Sequence, residues 1–156
     1  MRIWVDGDGC PNDTKQVVFR ASDRLGVETR LVANAVMATP RWPLVTSVLV
    51  SHDFNAADDH IAEVVSAGDV VVTADIPLAA RVVEKGAVAI NPRGEVYDQT
   101  NVGECLAMRN LMQELRSGGY IQGGPAAFGT GDKRRFAVAF DRLLTKMLKD
   151  RPEQDA

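Results

Sequence analysis

Residues 3 to 11 read IWVDGDGCP and contain the first strand signal of the chain. This stretch begins with three apolar residues in succession and continues with Asp6 and Asp8, which are followed by glycine, cysteine and proline. Short strands that are apolar without alternation are typical of a parallel sheet with helices on both faces. The stretch therefore predicts a buried strand that ends at two carboxylates.

Further short apolar runs have the same character, and helical patterns lie between them. The other predicted strands cover residues 28–32, 47–50, 70–73 and 87–90. Helices predicted from apolar positions at helical spacing cover residues 14–25, 57–67 and 76–85, and each is followed by a glycine. Strands that alternate with helices predict an α/β fold with three layers, α/β/α, around a mostly parallel central sheet of four to five strands.

The chain beyond residue 90 is predicted to be helical. We expect no strand after Ile90, a helix over residues 103–116 with Asn101 and Glu104 at capping-box spacing, and a last helix over residues 132–149. A chain of 156 residues that is 46% hydrophobic fits a single domain, here residues 1–150. Residues 151–156 are expected to form a disordered tail.

The composition narrows the class of partners. A net charge of −3 with a pI near 5.4 means that any contact with nucleic acid must come from a local basic patch. Since no apolar run approaches the roughly 20 residues of a membrane span, we expect no membrane partner and a cytoplasmic location. Cys10 and Cys105 match neither a disulfide framework nor a zinc site, which predicts reduced thiols.

Carboxylates stand at the ends of two predicted strands. Asp6 follows IWV and Asp75 follows VVVTA, and open α/β sheets gather functional groups beyond the carboxyl ends of their strands. If the two strands are neighbours, the two carboxylates converge. A local alternative stays open, because Asp75 before Pro77 suits a helix cap and Asp8 suits an Asx-turn.

A third acid favours convergence. In AADDHI, residues 56–61, Asp58 shares a helical face with Ile61, whereas Asp59 falls on the polar face, although the helix dipole alone also favours a first-turn aspartate. Carboxylates gathered in one pocket would repel by about 4 kcal/mol per pair at a separation of about 4 Å and an effective dielectric of about 20. A hard cation, Mg²⁺ or Mn²⁺, removes that repulsion, and such a site suits phosphodiester hydrolysis.

Several motifs, in this order along the chain, resemble one protein family. IWVDGDGCP, AADDHI, GDVVVTADIPLA, NPRG and GGPAAF are similar to motifs of the uncharacterised YaiI/YqxD family of bacterial proteins, which is grouped with PIN-like nuclease domains. The resemblance spans residues 1–145. It implies a PIN-like domain that cleaves RNA with Mg²⁺ or Mn²⁺, in which Asp6, Asp58 and Asp75 are catalytic metal ligands and Asp8 is a further ligand.

Departures from this pattern keep two other functions open. Pro77 stands where many PIN-like relatives carry a second aspartate, and Asn55 stands where this family usually carries one. With fewer acids, the chain would be a non-catalytic RNA-binding or protein-binding module that retains an acidic pocket. DGDG after a strand also resembles the nucleophile motif of haloacid-dehalogenase-like phosphatases, with Thr73 and Lys85 in supporting roles, but no acidic pair follows a later strand.

Basic residues in the second half of the chain are candidates for phosphate contact. Lys133 and Arg134 begin the last helix, where cations oppose the helix dipole unless an anion binds there. The glycines of GTGDKRRF, residues 129–136, are expected to leave backbone amides free for that anion. Arg93, just past a strand, and Thr73, at the end of another, are further candidates for RNA contact.

Three residues of chemically active types are predicted to have structural or surface roles. Cys10 precedes a helix, whose dipole lowers the pKa of a thiol, but its sequence context favours a small buried thiol over a nucleophile. His52 and His60 lie beside acids and are expected to be solvated. No EF-hand fits this chain, because Pro11 stands where the calcium loop needs glycine.

Overall fold

The structure, a computed structural model, describes residues 1–124 and 127–150. Its strands are β1 (Arg2–Asp6), β2 (Glu28–Ala33), β3 (Val45–Leu49), β4 (Val70–Val72), β5 (Val88–Ile90) and β6 (Val96–Tyr97). Its helices are α1 (Asn12–Leu25), α2 (Ala56–Val64), α3 (Ile76–Glu84), α4 (Val102–Ser117) and α5 (Thr130–Asp150), and a short 3-10 turn (Gly7–Gly9) follows β1. The predicted disordered tail, residues 151–156, lies outside the described residues.

The strands form one mostly parallel sheet in the order β3-β2-β1-β4-β5-β6. β1 is central and pairs with β2 on one side and β4 on the other, with Val5 opposite both Leu31 and Val72. The chain extends the sheet in one direction through β2 and β3 and then returns to add β4 on the other side of β1. The strand order therefore reverses between β1 and β4, which is where open α/β sheets bind their ligands.

Helices cover both faces of the sheet, which confirms the three-layer α/β/α prediction. On one face, α1 and α5 pack their apolar residues against alternate strand residues such as Ile3 and Val5. On the other face, α2 and α3 pack against Trp4 and Val71, and α4 contributes Val102 at the edge. Because successive strand residues point to opposite faces, burial on both sides explains why the strands read as continuous apolar runs.

Two predictions for the second half of the chain are wrong. The described residues form six strands rather than four or five, because β6 returns antiparallel to β5 after Ile90. Asn101 precedes α4, but within the described chain its side chain does not cap that helix. It bridges the preceding turn instead, since Asn101 Oδ1 accepts from the Asp98 amide at 2.9 Å and Nδ2 donates to the Val96 carbonyl at 2.8 Å.

Glycines at turns set how closely two elements approach. Gly26 ends α1 in the left-handed conformation with φ 67°, as the glycine after the first predicted helix indicates. Gly94, in the turn between β5 and β6, has φ 90°, and a Cβ there would lie 2.9 Å from the Arg135 carbonyl oxygen. Only glycine fits this turn at such a distance from α5.

No helix among the described residues is both long enough and apolar enough to cross a membrane. The longest, α5, carries charged residues along its length and buries Phe136, Phe140 and Leu144 in the core.

Candidate functional site

A pocket of about 380 Å³ opens at the reversal point between β1 and β4. Its lining includes Asp6, Asp8, Asp58 and Asp75, which come from the end of β1, the turn after it, the first turn of α2 and the residue before α3. We call it the carboxylate pocket. The fold thus brings together the four acids that the sequence singled out, because β1 and β4 are neighbours in the sheet.

Asp6 is the most buried acid of the carboxylate pocket, with a relative exposure of 7%. Burial raises the pKa of Asp6, the charges of Asp8 and Asp75 raise it further, and a hydrogen bond from the Thr73 hydroxyl opposes the rise. That hydroxyl donates to Asp6 Oδ2 at 3.0 Å and accepts from the Asp75 amide at 3.0 Å. Thr73 therefore fixes both strand ends relative to each other.

Asp75 and Asp8 face the carboxylate pocket while each also holds the backbone. Asp75 Oδ1 accepts from the Leu78 amide at 2.9 Å, so the helix-cap interpretation of Asp75 is confirmed. The carboxylate of Asp8 accepts from the amide of Asn34, just after β2, at 3.1 and 3.3 Å. Capping and convergence are therefore compatible, since each carboxylate has lone pairs to spare.

Asp58 is the carboxyl of the pocket whose pKa departs most from its ordinary value. Burial, together with the charges of Asp75 and Asp6, raises the pKa of Asp58 to about 7. Asp59 is exposed on the other side of α2 and pairs with Arg81 at 2.8 Å. The predicted division between an inward Asp58 and an outward Asp59 is confirmed.

The four acids do not form a ready coordination cluster. Within residues 1–124 and 127–150, no group of three or more histidine, cysteine, aspartate or glutamate side chains is arranged to hold a metal ion. The carboxylates share the pocket and influence one another's charge, while Asp6, Asp8 and Asp75 each also accept a hydrogen bond from the protein. The structure thus shows electrostatic convergence without the geometry of a bound ion.

A loop that the sequence connected with the site only through Asn55 forms another wall of the carboxylate pocket. Residues His52, Asp53, Phe54 and Asn55, between β3 and α2, line it. Asn55 has φ 63° and is the one non-glycine residue with positive φ in the part of the chain that the structure describes. The signal that could have found this loop is its position just after the carboxyl end of a strand.

The two histidines differ in their surroundings. His52 is exposed, in agreement with the expectation of a solvated residue, although it also lines the carboxylate pocket. His60 is partly buried, and its ring meets the edge of the Trp4 ring with centroids 6.4 Å apart. His60 is less solvated than expected, because α2 packs this residue against Trp4 of the sheet.

The carboxylate of Asp132, in the first turn of α5, pairs with the basic residues Arg135 and Arg93. Asp132 is buried; it pairs with Arg135 and lies 3.6 Å from Arg93. Its Oδ2 accepts from the Gly129 amide at 3.0 Å, and this bond, followed by the one from Arg135, lowers the pKa of Asp132. The amide of Gly129 is therefore engaged, contrary to the expectation that it is free.

The other residues predicted to contact phosphate differ in their exposure and in their partners within the protein. Lys133 lies 3.9 Å from Asp13 at the start of α1, and Arg134 is exposed. Thr73 is buried and engaged with Asp6 and Asp75 rather than open to a ligand. A role in RNA contact for these residues and for Arg93 stays a prediction.

Neither Cys10 nor Cys105 lines the carboxylate pocket. Burial raises the pKa of the Cys10 thiol to about 12, and the charge of nearby Lys15 opposes the rise. The prediction that Cys10 is a buried thiol is confirmed. Within the described residues, which include Cys10 and Cys105, neither forms a disulfide.

Comparison with known proteins places the whole chain in one family. A family model described as "Uncharacterized BCR, YaiI/YqxD family" matches residues 4–146. A UPF0178 protein of Trichlorobacter lovleyi is 54% identical over 154 residues, covering 99% of this chain and 100% of the relative. A UPF0178 protein of Citrifermentans bemidjiense is 56% identical over the same length with the same coverage. A UPF0178 protein of Shewanella halifaxensis is 48% identical over 146 residues, which are 94% of this chain and 97% of the relative. Because these matches extend along almost the full length of the chain, it belongs to the YaiI/YqxD family.

Proposed function

We propose that the protein is a PIN-like, metal-dependent hydrolase of RNA phosphodiesters. Asp6, Asp58 and Asp75 are its catalytic carboxylates, and Asp8 is a fourth ligand for Mg²⁺ or Mn²⁺. The observation that carries the proposal is that these four acids, from separate places along the chain, line one pocket at the reversal point of the sheet. Burial and the charges of Asp75 and Asp6 raise the pKa of Asp58 to about 7, which supports the proposal. A carboxyl whose pKa is raised this far by burial and by neighbouring charges, in a pocket at the reversal point of the sheet, is typical of a functional site.

The chemistry of the donor set fits a hard divalent cation. The four acids offer only carboxylate oxygens, which are the ligands that Mg²⁺ and Mn²⁺ prefer. Such an ion, when bound, supplies activation of water and compensation of the charge that develops on a phosphoryl group. Asp6, Asp8, Asp58 and Asp75 would hold it, and Asp58 would give up the proton that it retains near neutral pH.

The remaining residues of the site have positioning roles in this proposal. Thr73 holds Asp6 and the Asp75 amide in a fixed relation. The Leu78 amide orients the Asp75 carboxylate, and the Asn34 amide orients that of Asp8. Lys133, Arg134 and Arg93 are candidate contacts for RNA phosphates, the substrate class that the resemblance to PIN-like nucleases supports.

A matched pair of variants on α2 tests the proposal. A labelled single-stranded RNA is incubated with Mn²⁺ and the parent protein, Asp58→Asn or Asp59→Asn. We expect Asp58→Asn to lower the cleavage rate by about 100-fold or more, since it removes a group of the catalytic set. Asp59→Asn should cleave as the parent does, because Asp59 faces solvent and Arg81. Equal cleavage by parent and Asp58→Asn, or cleavage that persists in excess EDTA, would overturn the proposal.

One observation favours a second candidate, a non-catalytic RNA-binding or protein-binding module. Within the described ranges, no group of three or more potential ligands is arranged for a metal ion, and Asp6, Asp8 and Asp75 are engaged with the protein. This candidate predicts that RNA is retained by the parent protein in Mn²⁺ but remains intact. The same incubation therefore separates the two functions.

The phosphatase alternative lacks support from its proposed lysine. Lys85 Nζ donates to the Glu63 carbonyl at 2.8 Å, and Lys85 lines a separate surface with Arg81 and Asp59. A phosphatase would hydrolyse a small phosphomonoester and leave RNA intact, which the same preparation of protein can test.

A further inference from the structure

A second cavity, of about 590 Å³, adjoins the carboxylate pocket. We call it the side cleft. Its apolar walls are Pro11, Ile76, Pro92 and Phe128, and its polar edge includes Asn91, Arg93 and Glu95. Gly9 lines both cavities, so the two open next to each other at the carboxyl edge of the sheet.

One wall of the side cleft is held in place by a dense set of hydrogen bonds. Asn91 Oδ1 accepts from the amides of Arg93 and Glu95 at 2.9 and 3.0 Å, and its Nδ2 donates to the Tyr97 hydroxyl at 2.9 Å. Gly94, in the same turn, abuts α5. A cavity whose wall is fixed before a ligand arrives binds at a lower entropic cost.

The lining of the side cleft suits a flat, aromatic ligand with hydrogen-bond donors at its edge. The partly exposed side chain of Phe128 offers a flat aromatic surface, the partly exposed Pro11 adds apolar surface beside it, and the buried Pro92 closes the wall. The exposed carboxylate of Glu95 offers acceptors only. Nucleobases combine a π-face that stacks on aromatic side chains with amino and imino groups that donate to carboxylates.

We infer that the side cleft is a subsite for the nucleobase next to the scissile phosphate, with Phe128 as its stacking platform and Glu95 as an acceptor for base N–H groups. The inference rests on the proposed function, because it assigns the phosphate itself to the carboxylate pocket. A strand that leaves that pocket across Gly9 enters the side cleft directly. Gly9 has no side chain that would obstruct such a crossing. A Cβ at this position would lie 3.3 Å from Asp6 Oδ2.

Binding of short RNA in the presence of Ca²⁺ tests the subsite by affinity. This cation takes oxygen ligands and compensates the charge of the carboxylate pocket, and gel analysis verifies that the probe stays intact. A fluorescently labelled single-stranded hexanucleotide is titrated with the parent, Phe128→Ala, Phe128→Leu, Phe128→Trp and Glu95→Gln. An abasic hexanucleotide with the same ribose-phosphate backbone serves as the second probe. Tyr120→Ala is the matched control, because among the described residues Tyr120 is an exposed aromatic residue outside the linings of the pocket and the side cleft.

We expect Phe128→Ala and Phe128→Leu to weaken binding of the base-containing RNA by roughly 10-fold and to leave binding of the abasic probe unchanged. Phe128→Trp should bind as well as the parent or better. Four homopolymeric hexanucleotides, one for each base, serve as additional probes, and Glu95→Gln should change the order of their affinities. Circular dichroism and thermal melts verify that each variant is folded. Equal losses for both probes, no loss in Phe128→Ala, or no binding of RNA by the parent would overturn the subsite.

The outcome separates the subsite from the proposed function. If the parent cleaves RNA with dependence on Asp58 but Phe128→Ala binds and cleaves normally, the subsite fails and the function stands. If binding depends on Phe128 and on the bases while RNA stays intact in Mn²⁺, the subsite stands and hydrolysis fails.

Discussion

At the scale of single residues, Asp58 and Asp59 show how one position of difference along a helix changes the chemistry of a carboxyl. Both lie in the first turn of α2, where the helix dipole favours a negative charge. Asp59 is solvated and paired with Arg81, whereas Asp58 faces two other acids and has a pKa of about 7. The dipole therefore does not decide the protonation of Asp58, because burial and like charge outweigh it.

This raised pKa predicts a stability that depends on pH. The pKa of Asp58 in the folded protein, about 7, lies above its ordinary value of 3.8, so protonation favours the folded state. The stability contributed by the protonated carboxyl is lost as the pH rises from about 4 through about 7. At pH 8 we expect Asp58→Asn to be more stable than the parent by about 1 to 2 kcal/mol, after a discount for solvent screening at a partly exposed group.

Urea unfolding at pH 4 and pH 8 measures this effect. The advantage of Asp58→Asn should shrink toward pH 4, and Asp59→Asn should show no comparable change with pH. A constant difference between parent and Asp58→Asn at both pH values would contradict the assigned pKa.

The same residue predicts proton release when a cation binds. At pH 6 most Asp58 carboxyls hold a proton, so binding of Mn²⁺ should release about one proton per ion. Above pH 8 the release should fall toward zero. Isothermal titration calorimetry in two buffers of different ionisation enthalpy measures it, with Asp58→Asn as the control that binds more weakly and releases less. Identical heats in both buffers at pH 6 would mean that no proton is displaced.

At the scale of elements, buried Asp69 joins the turn before β4 to the distant strand β1. Its carboxylate accepts from the Arg2 amide at 2.9 Å, from Trp4 Nε1 at 3.0 Å and from the Ser66 amide at 2.9 Å. These bonds connect the start of β1, the exit of α2 and the entry to β4. Sequence reasoning missed Asp69, because its partners Arg2 and Trp4 are more than sixty residues away.

Removal of this carboxylate should be costly. Asp69→Ala leaves the Trp4 N–H and two amides without their acceptor, and we expect a loss of about 3 kcal/mol in the free energy of unfolding. Asp23→Ala, at an exposed position of α1, is the matched control and should change stability by less than about 0.5 kcal/mol. Chemical denaturation of both variants measures the difference. A similar small effect for the two would show that Asp69 does not join these segments.

The elements that the sequence predicted poorly have weak local signals. β6 has two residues, and its pairing with β5 depends on a turn that Gly94 and Asn91 hold in place. Asn101 has the spacing of a helix cap, but its side chain satisfies the turn between Val96 and Asp98 instead. In both cases a tertiary arrangement competes with a local preference and wins, since short strands and caps are each worth only about 1 kcal/mol.

At the scale of the whole molecule, α5 completes the core although it is the last described element. Phe136 and Phe140 stack with ring centroids 5.1 Å apart, and both are fully buried against the sheet and α1. The core on this face therefore includes residues from nearly the full length of the chain, which favours cooperative unfolding.

Truncation of this stack should destabilise the entire domain. We expect Phe140→Ala to cost about 3 to 5 kcal/mol, with far-ultraviolet and near-ultraviolet circular dichroism following the same unfolding curve. Val138→Ala, at an exposed position of the same helix, should cost less than about 1 kcal/mol. If Phe140→Ala lost only the near-ultraviolet signal of α5 at low denaturant, the helix would be an independent unit and not part of a common core.

The sequence alone determined the alternation of buried strands with helices, the three layers, and the acids at the strand ends, because these follow from local periodicity and spacing. Three features were known only once the chain was folded: β1 lies beside β4, Thr73 joins Asp6 to Asp75, and the loop of residues 52–55 forms a wall of the carboxylate pocket. Strand order and the resulting electric field depend on contacts between residues that are far apart along the chain. A pattern within a window of neighbouring residues does not predict those contacts. The raised pKa of Asp58 depends on them, because it results from burial and from the charges of Asp75 and Asp6.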